Sequence, residues 1–423
     1  MFSKTALCAG LCLCVTLPIW AETESAAEVA ALPISTPALP AFIQRVWSES
    51  PAVQGARAAL DAARARAAGA DRPLHNPMLE LDAEQTGVNT TSLGLSQTID
   101  WSDKRGALVR IADQDVQAAE AQLREIRQHT AAETLGALAD LSTAREMRAL
   151  AQRSSQLMKA FFDTVQKRQA AGDIAALDVT LAQVAYSEAL MEQAASESRL
   201  AEAEAALQAV TGLTAQSWPQ LPENLVPVPQ SADPALLDTL PELAVLRSRM
   251  EAAKGRIALA RKQGKIDPTI GIRAGREESD ELLGLSIGIP LFVRNNYREE
   301  VRAAAHDAAA AEQAWRDARR RAAARLNAAL GRFNSTSHAW QVWRAGGRQA
   351  QREQMELLEQ MWQAGELTAT DFLIQAKQNI DTQATATMLL NEVWQSAIAW
   401  LAASGQIEPW LDSSPAQTRN SGE

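Results

Sequence analysis

Two hydrophobic rhythms alternate along this chain, and each occurs twice. Residues 78–86 set Leu79, Leu81 and Ala83 against Glu80, Asp82 and Glu84, and residues 92–101 set Leu93, Leu95, Ile99 and Trp101 against Gly94, Ser96, Thr98 and Asp100. About 190 residues on, 269–276 set Ile270, Ile272 and Ala274 against Gly271, Arg273 and Gly275. Residues 282–291 set Leu283, Leu285, Ile287, Ile289 and Leu291 against Gly284, Ser286, Gly288 and Pro290. Period-two alternation predicts strands with one apolar and one polar face. Their lengths match the roughly 9–11 residues of an outer-membrane strand. The polar stretches 87–90 and 277–280 predict hairpin tips.

The second rhythm is helical. Within 103–170, Leu108, Ile111, Leu123, Ile126, Leu150, Leu157, Phe161 and Val165 recur at steps near three, four or seven, or their multiples. A helix of that extent is about 100 Å long, far beyond a globular one. After Ala171-Gly172-Asp173, residues 175–211 run back with Leu177, Leu181, Val184, Leu200 and Leu207. Residues 295–363 repeat the pattern with Val301, Trp315, Leu326, Phe333, Trp340, Leu358 and Met361. They turn at Gly365-Glu366 and return over 369–404. At both turns glycine suits the left-handed position, and Asp173 and Glu366 are expected as caps or first-turn charges. Gly346-Gly347 predicts a kink or fray in the second long helix alone.

Proline divides the chain. There is none from 78 to 218 or from 291 to 408, as long helices require. Proline clusters mark an extended lead-in over 22–50 and a linker over 214–240. The boundaries are then 51–213 for the first repeat, 241–405 for the second and 406–423 for a tail.

Composition narrows the class. Of 423 residues only 5% are aromatic, and the net charge is −10. An Ala-rich apolar set suits closely approaching helices, and the acidic balance argues against nucleic acid as a partner. Residues 1–21 predict a secretory signal: Lys4, an apolar run over 5–17, and Trp20-Ala21 before Glu22. Cys8, Cys12 and Cys14 all lie inside it, so the mature chain carries no thiol for disulfides, metal sites or nucleophilic catalysis. No other run is long and apolar enough for a transmembrane helix.

In lipid every backbone polar group must be paired, so spanning strands must close into a barrel. Four strands per chain do not close. Two copies give eight strands with a side-chain-filled interior, whereas three give twelve with room for a channel. Small and charged inward residues favour three. The expected fold is therefore mixed and mainly α: four strands per chain complete a trimeric 12-stranded outer-membrane barrel, continued by a long periplasmic α-helical barrel.

This order of two strands, long helix, Gly turn and return helix, given twice, resembles the TolC family of outer-membrane efflux channels over roughly residues 42–405. Residues 171–179 (AGDIAALDV) and 364–372 (AGELTATDF) are similar to that family's helix-tip motifs. Leu95-Ser96-Gln97, Trp101, Lys104-Arg105-Gly106 and Asn76-Pro77 are similar to its CzcC branch, which serves cobalt-zinc-cadmium-type exporters. The resemblance implies an exit duct for an inner-membrane RND-type pump and a periplasmic adaptor protein, with heavy-metal cations as cargo. Drug efflux and type I secretion are the alternatives within the class, and a surface structural coiled coil the alternative outside it. It assigns Gly172, Asp173, Asp178, Gly365, Glu366 and Asp371 to the periplasmic entrance and adaptor contact. Leu367 and Ile374 stand where TolC itself carries charges, so a lock built from those charges is not available here.

The strand pattern assigns Glu80, Asp82, Glu84 and Arg273 to the lumen, and Trp101 and Phe292 to the membrane-interface girdle. Three copies of Asp178 and Asp371 around a narrow entrance would attract cations. His75, His129, His306 and His338 show no metal-ligand spacing, and no cofactor or enzyme motif is present.

Overall fold

The computed structural model describes residues 31–33, 38–85, 87, 89–214, 218–221, 225–227 and 232–412. The expected signal segment with its cysteines, and the tail beyond 412, lie outside the described residues. The chain begins with strand β1 (Ala31–Pro33) and helix α1 (Ala38–Glu49). The lead-in expected to be extended is thus helical over α1. Leu39, Ile43 and Val46 are fully buried at helical spacing, and Pro40 lies in the first turn, where its missing N–H costs no bond. The prolines obscured that rhythm in the sequence.

Helix α2 (Pro51–Ala70) starts on proline, leads to strands β2 (Met78–Gln85) and β3 (Asn89–Thr98), and these feed helix α3 (Lys104–Ala170). Helix α4 (Ala176–Thr211) returns. Strand β4 (Leu225–Pro227) and helix α5 (Leu236–Thr239) lie in the linker, and β4 pairs antiparallel with β1. The second copy repeats the plan: helix α6 (Pro241–Gln263), strands β5 (Thr269–Glu277) and β6 (Asp280–Gly288), and helix α7 (Arg298–Val342). A π turn (Trp343–Gly347) joins α7 to helix α8 (Arg348–Ala364). Helix α9 (Ala369–Ser404) returns, and helix α10 (Ile407–Asp412) closes the described chain.

The two copies share start and stop signals. Pro51 and Pro241 open α2 and α6, where a fixed φ is already helical. Gly212 and Gly405, at φ +70 and +72, end α4 and α9. Arg298 to Ala364 matches the 67 residues of α3, so both long helical rods are about 100 Å. At Gly346-Gly347 the helix does not fray. It widens by a π turn, and the Trp343 ring lies against Gly347, where a Cβ would meet Trp343 Cε3 at 2.5 Å.

Near the strands, α3 packs between α2 and α6, with α7 beyond α6. Toward the Gly turns, α3 packs between α4 and α9, with α7 and α8 beyond α9. The core lies midway. Leu326, Phe333 and Trp340 face it at steps of seven, with Leu135, Leu207 and Leu401. Buried alanines such as Ala131, Ala139 and Ala397 let the rods approach closely. Among the described residues no helix is long and apolar enough to cross a membrane.

Candidate functional site

The strands form one antiparallel sheet in the order β2-β3-β5-β6. Its register sorts the side chains. Leu79, Leu95, Ile272 and Leu285 form one row, and Leu81, Leu93, Ala274 and Leu283 the next. Both rows point to one face. Its leucines and isoleucines are exposed, with Leu81 at 76% and Leu283 at 86%. No helix covers them. The opposite face carries the rows Glu80–Gly94–Arg273–Gly284 and Asp82–Ser92–Gly275–Leu282, and ends in Glu84, Thr90, Glu277 and Asp280. All four residues assigned to the lumen therefore share one face. Among the described residues nothing pairs with the outer edges of β2 and β6, and these strands run antiparallel to each other, so copies can join edge to edge without breaking the antiparallel order.

Where strands hand over to helices, a charged clamp sets their relation. Asp100 caps α3, accepting from the backbone N–H groups of Lys104 at 2.7 Å and Arg105 at 2.8 Å. Asp103 adopts a left-handed conformation at φ 57, and Lys262 of α6 donates to its carboxylate at 2.6 Å. Gly106 leaves room for this carboxylate: a Cβ there would meet Asp103 Oδ1 at 2.2 Å, and the side chain would have to shift away from Lys262. Asp267, just before β5, is 6% exposed; it pairs with Lys104 at 2.8 Å and accepts from the Ser102 hydroxyl at 2.8 Å. Burial pushes the Asp267 carboxyl up, but the Lys104 and Ser102 donors outweigh it and hold the group below the ordinary carboxylate range. The clamp spans both copies, and its parts are too far apart in sequence for spacing to reveal it.

Trp101 stands exposed at this junction, below the apolar face. Phe292 is half-buried and packs edge-on against Tyr297, with centroids 5.7 Å apart. Ile289, Leu291 and Val293 are exposed at the same level. Val293, beyond the alternating run, was not singled out by the sequence.

At the far end both turns close alike. Gly172 and Gly365 have φ +84 and +76. The next residues, Asp173 and Glu366, donate their N–H groups to Arg168 O and Met361 O, both at 3.0 Å, completing the left-handed helix stop. The caps differ from expectation. Asp173 and Glu366 are exposed on the turns, whereas Asp178 and Asp371 sit three residues past the true cap positions. The Ala175 N–H donates to Asp178 Oδ2 at 3.3 Å. The Thr368 hydroxyl donates to Asp371 Oδ2 at 2.7 Å and accepts from the Asp371 N–H at 3.1 Å. Thr368-x-x-Asp371 has the spacing of a capping box, with Asp for the usual Glu, which the sequence carried in plain view. Glycine position drew attention one element too early.

Behind the turns an aromatic clasp joins the two helical hairpins. Phe161 of α3 lies 5.2 Å from both Trp362 of α8 and Phe372 of α9, and these two stack at 5.1 Å. The Arg168 guanidinium sits 4.4 Å over the Trp362 ring and donates to Trp362 O at 3.1 Å. Lys377 of α9 also pairs with Glu188 of α4 at 2.6 Å, and that bond raises its pKa. Spacing does not reveal the clasp, because Phe161 lies 201 residues before Trp362 and 211 before Phe372.

His129 pairs with Glu133 on the same helix at 3.1 Å. Among the described residues, no group of three or more His, Asp or Glu stands close enough to hold a metal ion.

Residues 42–213 match the family model described as Outer membrane efflux protein. The chain is 29% identical over 277 residues to the nickel-cobalt-cadmium resistance protein NccC of Alcaligenes xylosoxydans xylosoxydans, covering 60% of this chain and 61% of that one. It is 28% identical over 241 residues to the cobalt-zinc-cadmium resistance protein CzcC of Cupriavidus metallidurans, covering 53% of this chain and 56% of that one. These alignments span less than two thirds of either relative. The Campylobacter jejuni CmeC outer membrane channel superposes with a TM-score of 0.73 at 13% identity, over 88% of this chain and 86% of that one. Residues 42–213 are thus similar to outer membrane efflux proteins, and the chain as a whole has the TolC-like outer-membrane channel fold that the paired strands and Gly turns led us to expect.

Proposed function

We propose that this chain, with its similarity to outer membrane efflux proteins and its channel fold, is the passive exit duct of a tripartite export pump, embedded in the outer membrane as a homotrimer. One observation carries the reading. A four-stranded sheet with an exposed apolar face, a polar reverse face and two free antiparallel edges feeds rods about 100 Å long. In water that apolar face and those edges would aggregate. In lipid, three copies satisfy both needs at once: the edges pair and the apolar face meets hydrocarbon.

The helices support the same number of copies. On the edge helix α4, Leu177, Leu181, Val184 and Met191 are exposed at steps of four, three and seven. On the opposite edge, Val342 of α7 and Leu357 and Met361 of α8 are exposed. Pairing one copy's α4 with the next copy's α7 and α8 covers both stripes. The aromatic clasp then lies inside each copy, at the narrow end that receives the periplasmic adaptor and, beyond it, an RND-type inner-membrane pump. Gly172, Asp173, Gly365 and Glu366 form that contact surface, Asp178 and Asp371 hold its turns, and the clasp resists opening until the adaptor is seated.

The cargo we assign is a heavy-metal cation. Support comes from the resistance proteins NccC and CzcC and from the acidic lumenal rows. Transport energy comes from the pump, and the duct contributes shape and charge. Deleting the gene should sensitise cells to cobalt, zinc, cadmium or nickel, with rescue by the intact gene. Sensitivity to drugs alone would instead place the chain in a drug-efflux assembly.

A further inference from the structure

Along the polar face of the sheet, charge changes in steps. Nearest the helices, the rows Thr98–Thr269–Gly288 and Met78–Ser96–Gly271–Ser286 carry none. Next comes Glu80–Gly94–Arg273–Gly284, an acid and a base about 10 Å apart across one strand. Toward the hairpin tips stand Asp82, then Glu84, Glu277 and Asp280, with no base. Arg273 is thus the single basic residue on this face, at the inner boundary of an acidic mouth.

The glycines in its row position the charges. A Cβ on Gly284 would lie 3.8 Å from Arg273 Nε and 3.9 Å from Nη2. One on Gly94 would lie 3.6 Å from Glu80 Cβ and 3.9 Å from Oε2. Both charged side chains therefore lie along the wall over a glycine.

We propose that Arg273 is a selectivity-determining residue of the exit, offsetting the acids so that cations pass the barrel without being held in it. This rests on the duct reading above. Conduction requires attraction strong enough to admit an ion and weak enough to release it. An acidic stretch without the arginine would hold a divalent cation longer. With it, the net attraction is confined to the outer rows.

The test is the reversal potential of the purified full-length protein in planar bilayers under a potassium chloride gradient. Arg273→Gln should raise the potassium-to-chloride permeability ratio at least about twofold, since three such charges would face one shared lumen. Glu80→Gln, in the same row, should shift it the other way. Arg276→Gln, in the same strand but on the opposite face, should leave it unchanged. The shifts should shrink in 1 M salt, where screening falls to about 3 Å. With cadmium on one side, Arg273→Gln should lengthen current blocks. Channels that open normally with an unchanged ratio in Arg273→Gln, or with equal shifts for Arg273 and Arg276, would overturn the inference. Absence of conductance in the unaltered protein would instead overturn the duct reading.

Discussion

Asp267 shows what a single side chain contributes here. Its carboxylate ties β5 to α3 through Lys104 and Ser102. Its pKa lies below the unfolded value of about 3.9, so its contribution is full above that pH and is lost as pH falls through the lower folded value. Asp267→Asn should therefore destabilise the junction at neutral pH by about 2 kcal/mol, the loss of a charge-assisted bond to Lys104, which keeps Lys265 O as an acceptor. The difference from the unaltered protein should vanish in strong acid. Denaturant midpoints at several pH values check this; a pH-independent difference would contradict it. At the tips, Trp362→Ala should cost about 3–5 kcal/mol locally by removing the stack with Phe161 and Phe372 and the seat of Arg168. Faster proteolysis confined to the Gly172 and Gly365 turns is the expected readout. The links from Asp267 to Lys104 and Ser102, and from Phe161 and Arg168 to Trp362 and Phe372, join residues far apart in sequence, so neither the clamp nor the clasp was legible there. The capping of α9 by Thr368 and Asp371 was legible, and was obscured by the neighbouring glycine.

At the scale of elements, periodicity did most of the work. Four alternating runs became four strands, because their two faces meet different surroundings and any register slip would exchange them. Two proline-free tracts became 100 Å rods. Helix α1 was hidden because proline in a first turn is compatible with a helix that its hydrophobic spacing alone would have marked. The π turn was half legible: the glycine pair located it, but not the Trp343 ring that lies against Gly347. Gly347→Ala places a methyl where that ring lies, so the ring must move or the turn must revert. Nitrogen-15 shifts or tryptophan fluorescence should change around Trp343, while Gly346→Ala, with open space beside it, should leave them unaltered. Equal effects of the two variants would contradict this account of the turn.

For the whole molecule, several surfaces of one chain await partners. Its apolar sheet face, its unpaired strand edges and the exposed stripes on α4 and α8 all lack partners within the chain. In the proposed assembly further copies supply partners for the edges and stripes, and lipid supplies one for the sheet face. The sequence indicated this by counting strands, but the register between copies depends on edges that only assembly brings together. The most direct test joins those edges covalently. The cysteines of the chain all fall within 1–21, so a chain matured at the expected site offers no competing thiol. Paired cysteines, one scanned along β2 at Leu79, Leu81 and Ala83 and one along β6 at Leu283, Leu285 and Ile287, sit on opposite edges of the sheet, about 14 Å apart within a copy. A disulfide requires Cβ atoms about 3.8 Å apart, so no such bond forms inside one chain. We predict that oxidation in the outer membrane yields, for the matching register, a covalently closed trimer on a denaturing gel. Only monomers at every pairing, or a ladder that closes at two copies, would contradict the account.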